Sequence, residues 1–164
     1  IDIGTGAGFP GLPLKIAFPG LRLTLVDSVA KKTRFLELVA RELGLDGVSV
    51  ITDRAENLGQ DARFREAFDW ATARAVAELR VLAELLLPLV RVGGQALAQK
   101  GESAPDELAA AETAITALGG GTAGLTTVRL PETDKAHYLV TVPKQRPTPI
   151  TYPRRAGIPT KRPL

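Results

Sequence analysis

The chain has no cysteine and only one histidine, His137, among its 164 residues. The absence of cysteine excludes disulfides, thiolate metal sites and cysteine nucleophiles, and a single histidine excludes metal sites built on several imidazoles. No apolar run approaches the roughly 20 residues of a membrane-spanning helix, and no basic-then-apolar leader is present. We therefore expect one cytoplasmic domain without a metal. The chain also lacks methionine and opens inside a predicted strand, so we expect a further N-terminal segment before Ile1.

Basic residues and prolines are concentrated at the C-terminal end. The formal net charge is +3, yet the stretch 143–164 holds six basic residues, no acidic residue and six of the twelve prolines. Such a segment does not fold by itself, and it either stays solvated or binds an anionic partner. We therefore divide the chain into a folded domain at 1–142 and a basic, proline-rich tail at 143–164, for which nucleic acid is the favoured partner.

The hydrophobic pattern before the tail alternates between strands and helices. The predicted strands are 1–3, 21–26, 48–51, 68–72, 95–99, 125–130 and 137–142, and the predicted helices are 11–17, 29–43 with Ser28 as N-cap, 78–90 and 105–118. Gly93 and Gly94 are expected to turn the chain into the fifth strand. The last two strands are joined by a polar loop at 131–136 without a helix, which indicates an antiparallel hairpin. The sequence thus predicts an α/β fold with a Rossmann-like, doubly wound, mostly parallel sheet and an antiparallel C-terminal hairpin.

Four glycines follow the first strand in the stretch Asp2-Ile-Gly4-Thr-Gly6-Ala-Gly8-Phe-Pro-Gly11. Glycine is needed where the backbone must adopt a positive φ or approach a ligand closely. The second strand is followed by Asp27, and an acid in this place can accept hydrogen bonds from ribose hydroxyls. This layout predicts a nucleotide-cofactor pocket.

The glycines match two cofactor fingerprints. Gly6-x-Gly8-x-x-Gly11 matches the dinucleotide fingerprint, whereas Asp2-x-Gly4-x-Gly6-x-Gly8 matches motif I of the class I methyltransferases that use S-adenosylmethionine. The second reading puts Asp2 at the mouth of the strand, where it reaches the methionine amino group. The sequence also lacks the positioned acid or base that hydride transfer uses, and the final hairpin is typical of a methyltransferase sheet. S-adenosylmethionine is therefore favoured over NAD.

The chain resembles the RsmG (GidB) family of bacterial 16S rRNA guanine-N7 methyltransferases. The resemblance lies in the glycine motif with its Phe9-Pro-Gly-Leu-Pro-Leu continuation, in Leu25-Val-Asp-Ser, in Thr72-Ala-Arg-Ala-Val-Ala, and in the ending Tyr152-Pro-Arg-Arg-Ala-Gly-Ile-Pro-Thr-Lys-Arg-Pro-Leu. It covers essentially all residues. Members of the family carry a helical extension before the first strand, which agrees with the start inside a strand.

The resemblance implies a cofactor site and a surface for 16S rRNA or the small ribosomal subunit. The cofactor-binding residues that it implies are Gly4, Gly6, Phe9, Asp27, Ala55, Glu56 and Arg74. The glycines would pass close to the methionine moiety, Asp27 would take the ribose hydroxyls, and Ala55 with Glu56 would lie against the adenine. Lys100, Arg154 and Arg155 would bind RNA phosphates.

The reaction that the resemblance implies requires no acid or base from the side chains. Guanine N7 is a lone-pair nucleophile with no proton to lose, so positioning and the exclusion of water suffice, and no catalytic residue is assigned. Two other hypotheses remain: a methyltransferase of the same fold that acts on a protein or a small molecule, and a non-enzymatic RNA-binding module. A nicotinamide oxidoreductase is a more distant alternative.

Overall fold

The computed structural model describes residues 1–131 and 135–164. The strands in this part of the chain are β1 (Asp2–Ile3), β2 (Leu23–Asp27), β3 (Val48–Thr52), β4 (Phe68–Arg74), β5 (Val90–Lys100), β6 (Gly124–Val128) and β7 (His137–Pro143). The helices are α1 (Gly11–Ala17), α2 (Ala30–Glu42), α3 (Ala55–Gln60), α4 (Leu79–Leu86), α5 (Ala104–Ala117) and α6 (Ile158–Lys161), with a 3₁₀ turn at Leu87–Leu89.

The strands of the described residues form one sheet in the order β3-β2-β1-β4-β5-β7-β6. β1 to β5 are parallel, whereas β7 runs antiparallel to both β5 and β6. The predicted doubly wound sheet with an antiparallel C-terminal hairpin is thus confirmed. The strand order reverses between β1 and β4, and the crevice at the carboxyl ends of strands beside such a switch point is where open α/β sheets bind ligands. Of the predicted loop at 131–136, residues 132–134 lie outside the described residues.

The structure corrects two local predictions and adds one short helix. Gly93 and Gly94 lie inside β5 rather than in a turn before it, because the strand begins at Val90. Ser28 does not cap α2: the residue before the helix is Val29, and no side chain caps this end. The short helix α3 was not predicted, since its sequence carries almost no apolar periodicity.

The core lies mainly between the sheet and the helices α4 and α5. All residues of α4 except Arg80 are buried, so this helix is covered on nearly every side. One of them is an acid, Glu84, whose side chain is completely buried. None of the helices in residues 1–131 and 135–164 has the length and apolar character to cross a membrane.

The basic segment 143–164 lies against the folded body and is held there by hydrogen bonds to its backbone. The Arg65 guanidinium donates to the carbonyls of Thr148 and Tyr152 at 2.6 and 2.7 Å. The Gln60 amide donates to the carbonyl of Pro153 at 2.7 Å, and the Glu56 carboxylate accepts from the Gly157 amide at 2.8 Å. The basic, proline-rich segment is therefore a strap across α3 and α4, which we call the C-terminal strap (143–164).

Two basic residues of the C-terminal strap are neutralised inside the protein. The Lys144 ammonium is fully buried, forms an ion pair with Glu66 at 3.2 Å and donates to the Thr148 hydroxyl at 2.7 Å. Burial lowers the pKa of Lys144, and the charge of Glu66 partly opposes this shift. The Arg154 guanidinium donates through Nε and Nη2 to the buried carboxylate of Glu84. The strap is thus bound to the body by two ion pairs whose side chains are largely shielded from solvent.

We predict that Arg154→Met lowers the free energy of unfolding by about 3–5 kcal/mol, because the Glu84 carboxylate remains buried without its partner. The matched control is Arg155→Met at the exposed neighbouring position, which should change it by less than about 0.5 kcal/mol. Urea unfolding followed by circular dichroism measures both. Equal stabilities of the two variants would contradict this role of Arg154.

Candidate cofactor site

The loop between β1 and α1 adopts a conformation that requires glycine. Gly4, Gly6 and Gly8 have φ of 63°, 62° and 97°, a region that side chains with a Cβ rarely adopt. A Cβ on Gly4 would lie 2.6 Å from Cγ2 of Val76, whereas a Cβ on Gly6 would meet no atom closer than the Gly4 carbonyl oxygen at 4.0 Å. The backbone at Gly6 thus borders open space that a ligand can enter.

Asp2 holds this loop from inside. Its Oδ2 accepts hydrogen bonds from the Thr5 hydroxyl at 2.6 Å and from the Gly11 amide at 3.0 Å. The residue is completely buried, and this burial raises the pKa of Asp2 despite the two hydrogen bonds. Its Oδ1 has no hydrogen-bond partner among the described residues, and the interpretation that Asp2 reaches the methionine amino group, directly or through water, stays a prediction.

The position of Asp2 also bears on the two cofactor fingerprints. A dinucleotide places its pyrophosphate on the first amides of the helix that follows the glycines. Here Pro10 has no amide hydrogen, and the Gly11 amide is already used by Asp2. A pyrophosphate would meet a carboxyl group at this point instead of hydrogen-bond donors. The arrangement disfavours NAD and leaves the glycine loop suited to an uncharged or cationic group.

Asp27 lies at the carboxyl end of β2, beside the glycine loop. Its Oδ2 accepts from the Gly6 amide at 3.1 Å, and its Oδ1 accepts from the Val29 amide at 3.0 Å. The Lys32 ammonium, half exposed, forms an ion pair with Oδ2 at 3.2 Å. A carboxylate offers about four acceptor positions, and three of them are used here. Asp27 can therefore accept one further hydroxyl as it stands, and a second when Lys32 moves away.

Phe9 and Arg74 lie together at the other side of the glycine loop. The Arg74 guanidinium is 5.3 Å from the centre of the Phe9 ring, and Phe9 is 47% exposed. Both line a groove of about 360 Å³ with Pro13 and Gln99. This stacking agrees with the prediction that both belong to the site, although the role of each toward the cofactor stays a prediction.

Ala55 and Glu56 form the start of α3, and both are buried. The Glu56 carboxylate accepts the Gly157 amide of the C-terminal strap at 2.8 Å. Glu56 therefore anchors the strap, and its predicted place against the adenine stays untested. The contact ties the strap to the segment that is predicted to hold the adenine.

A larger cavity of about 650 Å³ opens at the carboxyl ends of β4 and β5. Arg74 lines both this cavity and the groove beside Phe9. The other wall comes from β6 and β7 and includes His137 and Tyr138. A separate concavity of about 460 Å³ lies near Leu23, Phe68 and Trp70 at the amino ends of strands, away from the switch point.

The predicted RNA-binding residues differ in their surroundings. Lys100 is only 12% exposed, pairs with Glu107 at 2.7 Å and donates to the Ala77 carbonyl at 2.8 Å. The prediction that Lys100 binds phosphate stays untested, and its charge is already paired within the protein. The same holds for Arg154, which pairs with the buried Glu84. Arg155 is exposed, and a role in RNA binding fits its position.

Sequence reasoning missed three contributors to the site. Thr5 helps Asp2 to hold the loop, Val76 packs on Gly4, and Lys32 pairs with Asp27. Only the pair of Lys32 and Asp27 has a sequence signal, a lysine five positions after a strand-end acid. Among the described residues, no three His, Cys, Asp or Glu side chains are grouped so that they could hold a metal ion.

Comparison with known proteins identifies the family. A family model described as rRNA small subunit methyltransferase G matches residues 1–134. The chain is 48% identical over 164 residues to the ribosomal RNA small subunit methyltransferase G of Alkaliphilus metalliredigens, covering 100% of this chain and 69% of that protein. It is 51% identical to the protein of the same name from Limosilactobacillus reuteri, covering 99% and 68%. The chain belongs to this family.

Solved structures support the fold of this methyltransferase G family member. An rRNA methylase from Streptococcus thermophilus superposes with a TM-score of 0.63 at 21% identity, covering 88% of this chain and 85% of that one. A 16S rRNA (adenine(1408)-N(1))-methyltransferase variant from Catenulisporales acidiphilia gives 0.73 at 16% identity, covering 90% and 85%. At such identities the likeness shows the class I methyltransferase fold alone.

The family and the fold together make the chain a methyltransferase whose cofactor is S-adenosylmethionine. The residues present fit this cofactor. The glycine loop leaves open space at Gly6, the buried carboxyl group of Asp2 suits a nearby sulfonium better than a pyrophosphate, and Asp27 has acceptor capacity left for ribose hydroxyls.

We predict that Asp27→Asn weakens the binding of S-adenosylhomocysteine about 10- to 100-fold, since a hydrogen bond to a charged acceptor contributes about 1.5–3 kcal/mol. Lys32→Met should instead tighten binding by up to about fivefold, because the ion pair that it removes contributes at most about 1 kcal/mol. Isothermal titration calorimetry measures both, with Asp46→Asn as an exposed control. Loss of affinity in Lys32→Met as large as in Asp27→Asn would contradict the assignment.

Proposed function

We propose that this protein transfers the methyl group of S-adenosylmethionine to N7 of a guanine in 16S rRNA, and that it works in the cytoplasm. The main support is the match along the whole chain to relatives named ribosomal RNA small subunit methyltransferase G, at 48% and 51% identity. The glycine loop and Asp27, which fit the cofactor, lie inside the matched region.

The proposed chemistry explains why the site needs no acid–base pair. Guanine N7 attacks with a lone pair and carries no proton, so no general base is required. The cofactor supplies a methyl group on a sulfonium, so the bond from sulfur to methyl breaks as the bond to N7 forms and sulfur keeps the electron pair. The positive charge passes to the purine. The chain therefore has to hold N7 in line with the methyl–sulfur bond and exclude water.

The 650 Å³ cavity at the carboxyl ends of β4 and β5 is our proposed place for the target guanine. It borders Arg74, which also lines the groove beside Phe9, so a base in it would lie next to the cofactor site. His137 and Tyr138 in its wall are rings on which an unstacked base can lie. The cavity is large enough to accept a purine.

Substrate RNA would be held by cations that remain exposed on the C-terminal strap. Arg155, Lys161 and Arg162 are exposed, and the hydrogen bond from Gly157 to Glu56 places this part of the strap beside the start of α3. Phosphate contacts there would lie near the predicted adenine end of the cofactor site.

The decisive experiment incubates the protein with S-adenosylmethionine labelled in its methyl group and small-subunit RNA from cells that lack the modification. We expect label in 7-methylguanosine after nuclease digestion and chromatography. Deproteinised RNA and intact small subunits are compared in parallel, because either form can be the substrate. Label in another nucleoside, or only in the protein fraction, would contradict the proposal.

The binding of RNA should depend on Arg155. We predict that Arg155→Met raises the KM for RNA and reduces the slope of log affinity against log salt by about 1, as expected for the loss of one phosphate contact. Affinity for S-adenosylhomocysteine should stay unchanged. Filter binding between low and moderate salt measures the slope, and a slope equal to that of the wild type would contradict the contact.

A further inference from the structure

The segment 75–78, which joins β4 to α4, lies directly on the glycine loop. Val76 is the contact: a Cβ on Gly4 would be 2.6 Å from its Cγ2. Arg74, the residue before the segment, stacks on Phe9, and both Arg74 and Ala75 line the cavity in which we place the target guanine. The segment therefore lies between the glycine loop, where we place the cofactor, and the cavity for the target guanine, and it contacts both.

The backbone of this segment is strained. Ala75 has a φ of 55°, in the left-handed region that residues with a Cβ adopt rarely and at a cost in free energy. Such a conformation persists only where the surroundings hold it, and it is found preferentially at functional sites. The contacts that hold the segment therefore determine where Ala75 and Val76 lie.

One charge pair holds the C-terminal half of the segment. The Lys100 ammonium donates to the Ala77 carbonyl at 2.8 Å and forms an ion pair with the Glu107 carboxylate at 2.7 Å. The same carboxylate accepts the Leu79 amide at 2.8 Å, just after the segment. The Ser103 hydroxyl donates to its other oxygen at 2.7 Å. The end of β5 and the first turns of α5 are in this way joined to the segment.

The pair is well shielded from solvent, with side chains that are 12% and 20% exposed. Burial opposes the ionisation of Glu107, but the hydrogen bonds from Lys100 and Ser103 outweigh it and keep the pKa of Glu107 below its ordinary value. Both residues line the 650 Å³ cavity. A paired, shielded lysine has little charge to offer to a phosphate, and its contacts point to the segment instead.

We infer that Lys100 and Glu107 are positioning residues for methyl transfer: by binding Ala77 and Leu79 they fix the strained segment 75–78, and thereby the relative placement of cofactor and target base. The inference rests on the proposed function, since it concerns the same reaction. It predicts an effect on the chemical step, because a displacement of about 1 Å can slow a well-aligned reaction on the order of a hundredfold.

The test compares Lys100→Met, Glu107→Gln and the double variant with the wild type. The first substitution keeps the aliphatic stem and removes the donor, and the second keeps the shape and removes the charge. The matched control is Arg41→Met with Glu42→Gln, an exposed ion pair at the end of α2. Single-turnover rates and KM for RNA are measured at 20 °C with unmodified small-subunit RNA. Amide hydrogen exchange of segment 75–79 is measured without cofactor.

We expect each single variant to lose at least tenfold in rate at saturating RNA, with a KM for RNA within about twofold of wild type. Exchange in segment 75–79 should be faster in both. The double variant should lose no more than the worse single variant, because both residues act through one segment. Lys100→Arg, which keeps a donor and the charge, should recover most of the rate, and the control pair should change nothing.

Three results would overturn the inference. A raised KM with an unchanged rate would make Lys100 an RNA contact. A lower melting temperature with unchanged kinetics and exchange at 20 °C would make the pair merely structural, and additive losses in the double variant would separate the two residues. If Lys100→Met does not fold, Ser103→Ala and Glu107→Gln provide the same comparison. Failure of the proposed function is distinguishable, because the wild type itself would then not form 7-methylguanosine.

Discussion

The left-handed glycine turn between β1 and α1 is the constraint on which the rest of the site depends. Side chains from three directions hold it: the buried Asp2 from inside, Asp27 through the Gly6 amide, and Val76 on Gly4. These contacts leave the turn open at Gly6, where an added Cβ would meet no atom closer than 4.0 Å. The same contacts select the ligand, because a helix start already bound to Asp2 offers no donors to a pyrophosphate.

A second feature of the structure is that several charged side chains form ion pairs inside the protein. Glu84 with Arg154, Glu66 with Lys144, and Glu107 with Lys100 are all largely buried pairs. The first two hold the C-terminal strap on the body. Buried pairs of this kind add little net stability against apolar replacements but are costly to break. They are therefore suited to fixing the position of a strap or a segment that has no apolar periodicity of its own.

Much of the architecture could be predicted from the sequence. The alternation of strands and helices, the glycine spacing and the acid after β2 are local patterns, and local patterns carry the fold class and the cofactor pocket. What could not be predicted is long-range pairing. The partner of Arg154 lies 70 positions earlier in the chain. The basic, proline-rich stretch around the arginine therefore gives no sign of the ion pair. The ion pair of Lys100 could not be predicted for a similar reason, since Glu107 meets it only because α5 folds back onto the end of β5. The helix α3 was missed because it is held by its tertiary contacts, including that of Glu56 with the strap.

The central claim is that a sulfonium nucleoside lies on the glycine turn with its ribose at Asp27. A crystal structure of the protein with S-adenosylhomocysteine tests it most directly. The account predicts electron density for the ligand along Gly4–Gly8, with a ribose hydroxyl oxygen within hydrogen-bonding distance of the Asp27 carboxylate and Lys32 displaced or shared. Ligand density elsewhere on the protein, or a ribose that makes no contact with Asp27, would contradict it.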